Sequence, residues 1–283
     1  MAARRLPSPS QPTGLLVHLI AVQSDTKRTR VKEVLRSGLV HVNGVSTTQH
    51  DTQVGPDDAI EIRNERAPAV RDLPFEVLFE DASIFVLNKP NGLLTVGHKR
   101  EKNRTVESIV NQALSEHRQR CFIVQRLDLY TSGVLLLAKT EAAQKKIKDN
   151  WGASEKFYHA LVEGIPDPPH ATLTHFLSED ERLLVHASDS QNSGGVKATL
   201  SYETVKQHDA HTLLRVQLKT GKKNQIRAQM SAIGHPIAGD AKYGATTNPI
   251  ERLCLHASSL TLKHPKTNQR MSFTAPLPAG MDI

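Results

Sequence analysis

Apolar residues recur along this chain at two periods, one helical and one extended. Leu15, Leu16, Leu19 and Ile20 fall at helical spacing. Val31, Val34 and Leu35 predict a second helix over about residues 29–37, ended by Gly38. Leu39-Val40-His41-Val42 reads as a short strand, Asn43-Gly44 as a hairpin turn, and residues 54–58 as a second turn before a strand at 59–62. Residues 63–74 hold Asn, Pro and charge without periodicity. Beyond them, strands are predicted at 75–79 and 84–87, with a turn over 88–92. Thr105 is a candidate N-cap for a helix whose apolar face is Val106, Ile109, Val110, Ala113 and Leu114.

The most informative stretch is residues 126–139: Arg-Leu-Asp, a Thr-Ser-Gly turn, then an apolar run that reads as a buried strand. Thr140 caps a helix with Glu141 early and Lys145, Lys146 and Lys148 late, an order that suits the helix dipole. In the strand at 156–162, Tyr158, Ala160 and Val162 share one face. Residues 167–195 read as loop-rich. Strands are predicted at 199–205 and 213–218. A helix carrying Ile226, Met230 and Ile233 stops at Gly234, and a strand lies near 253–262. The elements together read as an α+β protein. The break in pattern divides it into a tail at 1–13, expected to be disordered, a basic module at 14–66, a linker at 67–74 and a second domain at 75–283.

Charge sharpens this picture. The chain of 283 residues carries a net charge of +7, which favours a polyanionic partner, nucleic acid first. Lys27, Arg28, Arg30, Lys32 and Arg36 cluster around the second helix against one acid, Glu33. The two cysteines, Cys121 and Cys254, fit reduced thiols and a cytoplasmic protein. His208 and His211 lack a partner at ligand spacing, so no metal is expected. No apolar run reaches the ~18 residues of a membrane span. Neither phosphate-binding glycine motif is present, so nothing calls for a nucleotide cofactor. Ser132 is outside a Gly-x-Ser-x-Gly elbow, which argues against acyl transfer. What remains is chemistry by one carboxylate, Asp128, as nucleophile, base or stabiliser of an oxocarbenium-like centre. On a basic chassis, the sugar within reach is a ribose.

Arg126-Leu127-Asp128 with Thr131-Ser132-Gly133 resembles the catalytic motif of the RluA family of RNA pseudouridine synthases. Three more stretches are similar to that family in order and spacing. They are Asn88-Lys89-Pro90-Asn91-Gly92, the strand at 156–162, and residues 218–227 with 234–240. The resemblance implies a mixed, mostly antiparallel catalytic sheet and cofactor-free, metal-free isomerisation of uridine to pseudouridine. It implies Asp128 as the catalytic acid, Arg227 as its ionic partner and Tyr158 as the ring that stacks on the base. Arg126 would help extrude the target base, and Lys89, Lys222 and Lys223 would meet RNA phosphates or sit on a charged surface. Residues 14–66 resemble the alpha-L RNA-binding motif shared with a small-subunit ribosomal protein, with Lys27, Arg28, Arg30, Lys32 and Arg36 at its phosphate-facing positions. Ribosomal RNA is the favoured partner and transfer RNA the alternative, with no obligate protein partner evident.

The chain departs from the family at Gln125, where His is common, and at Lys222 and Asn224, where Arg and His are common. These bear on substrate choice rather than on the acid. Two competing readings stand beside the synthase. One is a non-catalytic RNA-binding or ribosome-assembly protein. The other is an RNA glycosidase that releases uracil.

Overall fold

The computed structural model describes residues 4–36, 39–43, 45–47, 49–62, 73–97, 104–115, 118–191 and 194–282. Gly38, Gly44, the side chain of Arg36 and residues 67–72 of the expected linker lie outside them. The chain divides into two compact units, residues 1–72 with 80–82 and residues 73–79 with 83–283.

In the first unit, β1 (Arg4–Leu6), β2 (Thr13–Gly14), α1 (Leu15–Val22), α2 (Arg28–Arg36), β3 (Val40–Val42), β4 (Val45–Thr47), β5 (Gln53–Val54) and β6 (Ile60–Ile62) follow in order. Leu15, Leu19, Val31, Leu35, Val40 and Ile60 form its small core. The segment expected to be a disordered tail is partly ordered. Arg4–Leu6 pairs antiparallel with β6 and buries Leu6. Three residues are too few for a periodic signal, and only the waiting edge of β6 selects them. Lys27, Arg28, Arg30 and Lys32 are exposed, because Val31 and Leu35 turn the other face of α2 inward. Arg30 pairs with Glu33 at 2.7 Å.

The second unit is built on one large sheet. Its elements are β7 (Val77–Glu80), β8 (Ile84–Lys89), α3 (Val106–Ser115), β9 (Phe122–Ile123), β10 (Ser132–Ala138), α4 (Glu141–Asp149), β11 (Glu155–Glu163), β12 (His170–Glu179), β13 (Val185–Ser188), β14 (Val196–His208), β15 (His211–Leu218), α5 (Gln225–Ala232), β16 (Leu255–Lys263) and β17 (Arg270–Thr274). The strand order is β13-β12-β14-β15-β11-β16-β10-β8-β7, with β17 on β16 and β9 on β10. Among the described pairs, β10 with β16 is parallel and the others are antiparallel.

The apolar run in β10 now has its reason. Leu135 and Leu137 enter the core cluster that holds α3 and α5, and Val134, Leu136 and Ala138 enter the cluster on α4. A strand buried on both faces loses the usual alternation. Gly133, at φ 111, stands where β10 meets β16, and a Cβ there would lie 2.2 Å from the Ala257 carbonyl oxygen. Thr105 and Thr140 cap their helices through Oγ1, each accepting at 3.1 Å from the amides of Ser108 and Ala143.

The region 167–195 corrects the expectation of loops, since β12 and β13 pair there over four positions. On β12, Ala171, Leu173 and Leu177 alternate, but buried His175 takes one inward position and masked the period. No helix of the described residues is long and apolar enough to cross a membrane.

Candidate active site

The Asp128 turn rests on the segment after β8. The Thr131 amide donates to the Asp128 carbonyl at 3.1 Å, closing a tight turn ahead of β10. Thr95 holds Leu127 from both sides: its Oγ1 donates to the Leu127 carbonyl at 2.8 Å and accepts from the Leu127 amide at 3.1 Å. The Gly92 amide donates to the Leu129 carbonyl at 3.0 Å. Hydrogen bonds on both sides of Asp128 thus fix its main chain, and 38% of its side chain stays exposed.

Beneath the turn lies Lys89, fully buried. Its Nζ donates to the carbonyls of Pro90 at 2.9 Å, Leu93 at 2.7 Å and Leu129 at 3.2 Å. Burial pulls this amine down to about 7, against the Asp128 charge that raises it and with Arg252 that lowers it. Three accepting carbonyls are matched in full only by the three hydrogens of the ammonium. The expectation that Lys89 meets an RNA phosphate is therefore corrected. Its donors are spent inside the protein, and it ties together the two segments that frame Asp128.

The opposite wall comes from the start of α5. Arg227 is 12% exposed, and its Nη1 stands 3.8 Å from Asp128 Oδ2. Its tighter partner is Asp240, which accepts from Nε at 2.6 Å and from Nη2 at 2.7 Å. Nη1 also donates to Asn224 Oδ1 at 3.0 Å, and the guanidinium lies over the Tyr243 ring, 4.7 Å from its centroid. Burial works against the Arg227 charge, but the Asp240 carboxylate outweighs it, helped by Asp128 and Tyr243, and holds the guanidinium above its ordinary range. Asp240 follows Gly239, at φ 80, where a Cβ would meet the Arg252 carbonyl oxygen at 2.1 Å. Only a glycine brings Asp240 into the wall at this point.

Asp128, Arg227 and Tyr158 line one hollow of about 70 Å³, together with Arg126, Thr131 and Lys222. Tyr158 is nearly buried. Desolvation first, and the Asp128 charge second, push its phenol upward, so it stays neutral at any working pH. It belongs to the core and to the hollow at once. Arg126 and Lys222 are exposed at the rim. Gln225 stiffens the loop that carries Lys222, accepting from Thr220 Oγ1 at 2.8 Å and from the Lys222 amide at 3.1 Å. Lys223 does not line the hollow, and its ammonium is engaged by Glu179. That pair is exposed, as expected of a lysine on a charged surface, and it does not decide whether Lys223 meets a phosphate.

Asp240 had no assigned role in the sequence reading. The signal was present as a single acid in the run Ile237-Ala238-Gly239-Asp240-Ala241, an unfavourable place for an unpaired charge. Asn224, noted as a departure, sits at φ 51 and gives its amide oxygen to Arg227. Among the described residues no group of three or more His, Cys, Asp or Glu could hold a metal ion.

Comparisons with known proteins bear on the family and the fold. The family model described as RNA pseudouridylate synthase matches residues 83–232, which include Lys89, Asp128, Tyr158 and Arg227. An uncharacterized RNA pseudouridine synthase of Mycoplasma pneumoniae is 30% identical over 91% of this chain and 87% of its own. The ribosomal large subunit pseudouridine synthase D of Yersinia pestis is 30% identical over 91% of this chain and 85% of its own. The solved structure of human RNA pseudouridylate synthase domain containing 4 superposes with a TM-score of 0.61 at 21% identity. It spans 73% of this chain and 90% of that one. The sheet, the sequence match and the full-length relatives converge, and the chain belongs to the family of RNA pseudouridylate synthases.

Proposed function

We propose that this protein converts uridines of large-subunit ribosomal RNA into pseudouridine, with Asp128 acting on a nucleoside flipped into the hollow. The observation that carries the reading is the Asp128 carboxylate, carried on its turn and 3.8 Å from a guanidinium that is itself locked by Asp240. A uridine must leave its stack before such a group can reach its sugar. The bond from the anomeric carbon to N1 breaks, the uracil turns, and a bond to C5 forms. The C5 proton is lost to water while N1 gains one, so atoms balance without an external reactant. Asp128 can start this by attacking the anomeric carbon or by taking the neighbouring sugar proton. Tyr158 offers a neutral ring to the base. Arg126 and Lys222, exposed at the rim, face the phosphates of the displaced strand. The ribosomal target follows the name of the Yersinia relative, with transfer RNA as the competing substrate, and the reading puts the protein with its RNA in the cytoplasm. The exposed cations of α2 add sequence-independent affinity through phosphate contacts.

The test uses ribosomal and transfer RNA transcripts carrying tritium at C5 of uridine. Wild type releases tritium into water, and Asp128→Ala lowers the rate by at least about 10³-fold. Equal release from both proteins removes Asp128 from the chemistry. Free uracil as the product makes the protein a glycosidase. RNA binding without release from any transcript leaves the non-catalytic reading.

A further inference from the structure

A second hollow adjoins the first. It measures about 690 Å³, within the range of about 300–1,000 Å³ typical of ligand clefts. Its floor is the chain from Cys121 to Val124. One wall is α3, through Glu107 and Asn111, and the other is α4, through Gln144 and Lys148. Both walls are anchored. The Cys121 amide donates to Asn111 Oδ1 at 2.7 Å, and Gln144 Nε2 donates to the Ile123 carbonyl at 2.7 Å. The groove is therefore built in advance rather than formed by loops that must fold around a ligand.

Arg126 lines both this groove and the hollow that holds Asp128, so the two are continuous at that side chain. The groove carries Arg120, Arg126 and Lys148 against one acid, Glu107. Arg126 and Lys148 are exposed and make no ion pair among the described residues. Arg120 pairs with Glu141 at 2.8 Å, but both side chains are well exposed, and such pairs contribute little. The Arg120 guanidinium also lies on the Phe122 ring, 4.5 Å from its centroid. One face of the guanidinium thus rests on an aromatic, and the other is open to a further planar partner. Cations beside a stacking platform form the chemistry that holds single-stranded nucleic acid.

We infer that this groove is a second RNA subsite, which takes the unpaired nucleotides next to the target uridine as they leave the hollow past Arg126. The inference rests on the proposed reading of the Asp128 site. Flipping costs least where the target is already single-stranded, so an unpaired neighbour is at hand when the groove is needed. Phosphates meet Arg126 and Lys148, and a base stacks on the open face of Arg120. A cationic groove with an aromatic floor favours this occupant over an acidic peptide, which has no planar base to stack.

The experiment compares the full chain with Arg120→Ser/Lys148→Ser and with Lys148→Ser alone. These side chains are exposed and lie outside the Asp128 hollow, so the melting temperature stays put. The readouts are tritium release and binding of the same ribosomal RNA transcript across a salt titration. The double variant keeps kcat within about twofold, raises KM about tenfold, and flattens the slope of log affinity against log salt by about 0.7, the amount for the one single-strand phosphate contact at Lys148. Lys148→Ser gives the same change in slope with a smaller rise in KM, because the stack on Arg120 remains. An unchanged KM and slope in the double variant overturns the inference. If wild type binds the transcript without releasing tritium, the synthase reading fails while the slope still decides the groove. If wild type does not bind the transcript at all, both fail. Loss of binding to a poly-glutamate peptide at an unchanged RNA slope would overturn the RNA subsite and assign the groove to an acidic protein partner.

Discussion

Two sets of cations surround Asp128, and they differ in what their charge meets. Lys89 and Arg227 are buried and saturated, one by three carbonyls and the other by Asp240, Asn224 and Asp128. Arg126 and Lys222 are exposed at the rim. The buried set holds the carboxylate in place, and its charge is consumed within the protein. The open set has charge to spare for a ligand. A lysine in a turn and a lysine in a loop look alike on paper. Burial decides which of them is architecture. Asp240 completes the lesson, since a buried guanidinium needs a partner of its own before it can serve another carboxylate.

Substitutions can break this contrast in order of size. Asp240→Ala strips Arg227 of its bidentate partner and leaves a buried charge uncompensated. It should cost about 3–5 kcal/mol in a urea titration and abolish tritium release. A loss below 1 kcal/mol would mean that Asp128 alone holds the guanidinium. Lys89→Met leaves three carbonyls without their donor, and about 2–3 kcal/mol of stability should go, together with the alignment of Asp128. Wild-type stability with full activity would return Lys89 to the surface role expected from sequence.

The third effect depends on pH. His256, on β16, pairs with Ser132 at the start of the strand that leaves the Asp128 turn. Its Nδ1 meets Ser132 Oγ at 2.8 Å, and its Nε2 faces the Ala275 carbonyl at 3.4 Å, so in the neutral ring Nε2 donates to the carbonyl and Nδ1 accepts from the hydroxyl. Burial above all, opposed by a bond to the Ala275 carbonyl, takes the imidazole down to about 4 from 6.5. As pH falls from about 6.5 towards about 4, the unfolded chain takes up this proton before the folded one does, so stability is lost across that window. Urea midpoints at pH 7 and pH 4.5 should fall less in His256→Gln than in wild type. Equal falls would place the acid sensitivity elsewhere.

Exposed cations, in either unit, should respond through binding instead. Replacing Lys27, Arg28 and Lys32 by Ser should flatten the salt slope of RNA binding by about 2 to 3 at unchanged stability. An identical slope would leave α2 without a role in RNA contact. Lys222→Ala, the smallest change, should raise KM about threefold, keep kcat within twofold, and move stability by less than about 0.5 kcal/mol. A fall in kcat with constant KM would move Lys222 into the chemistry.

The sequence alone determined the elements with strong local codes. Thr105 and Thr140 cap their helices as a hydroxyl at that position can, and the period of Val106, Val110 and Leu114 points one face inward without reference to the rest of the chain. The Asp128 turn was legible because Thr-Ser-Gly before an apolar run needs only local chemistry. The tertiary structure decided whatever depends on a distant partner. Arg4–Leu6 is ordered by β6, and β12 is held by β13 and β14 although His175 hides its alternation. Lys89 is structural because carbonyls from residues 90, 93 and 129 converge on it, and Arg227 is fixed by an acid thirteen positions away. Burial and ion pairing are properties of what the fold brings near, and residue type reports only what a side chain can do once it is there.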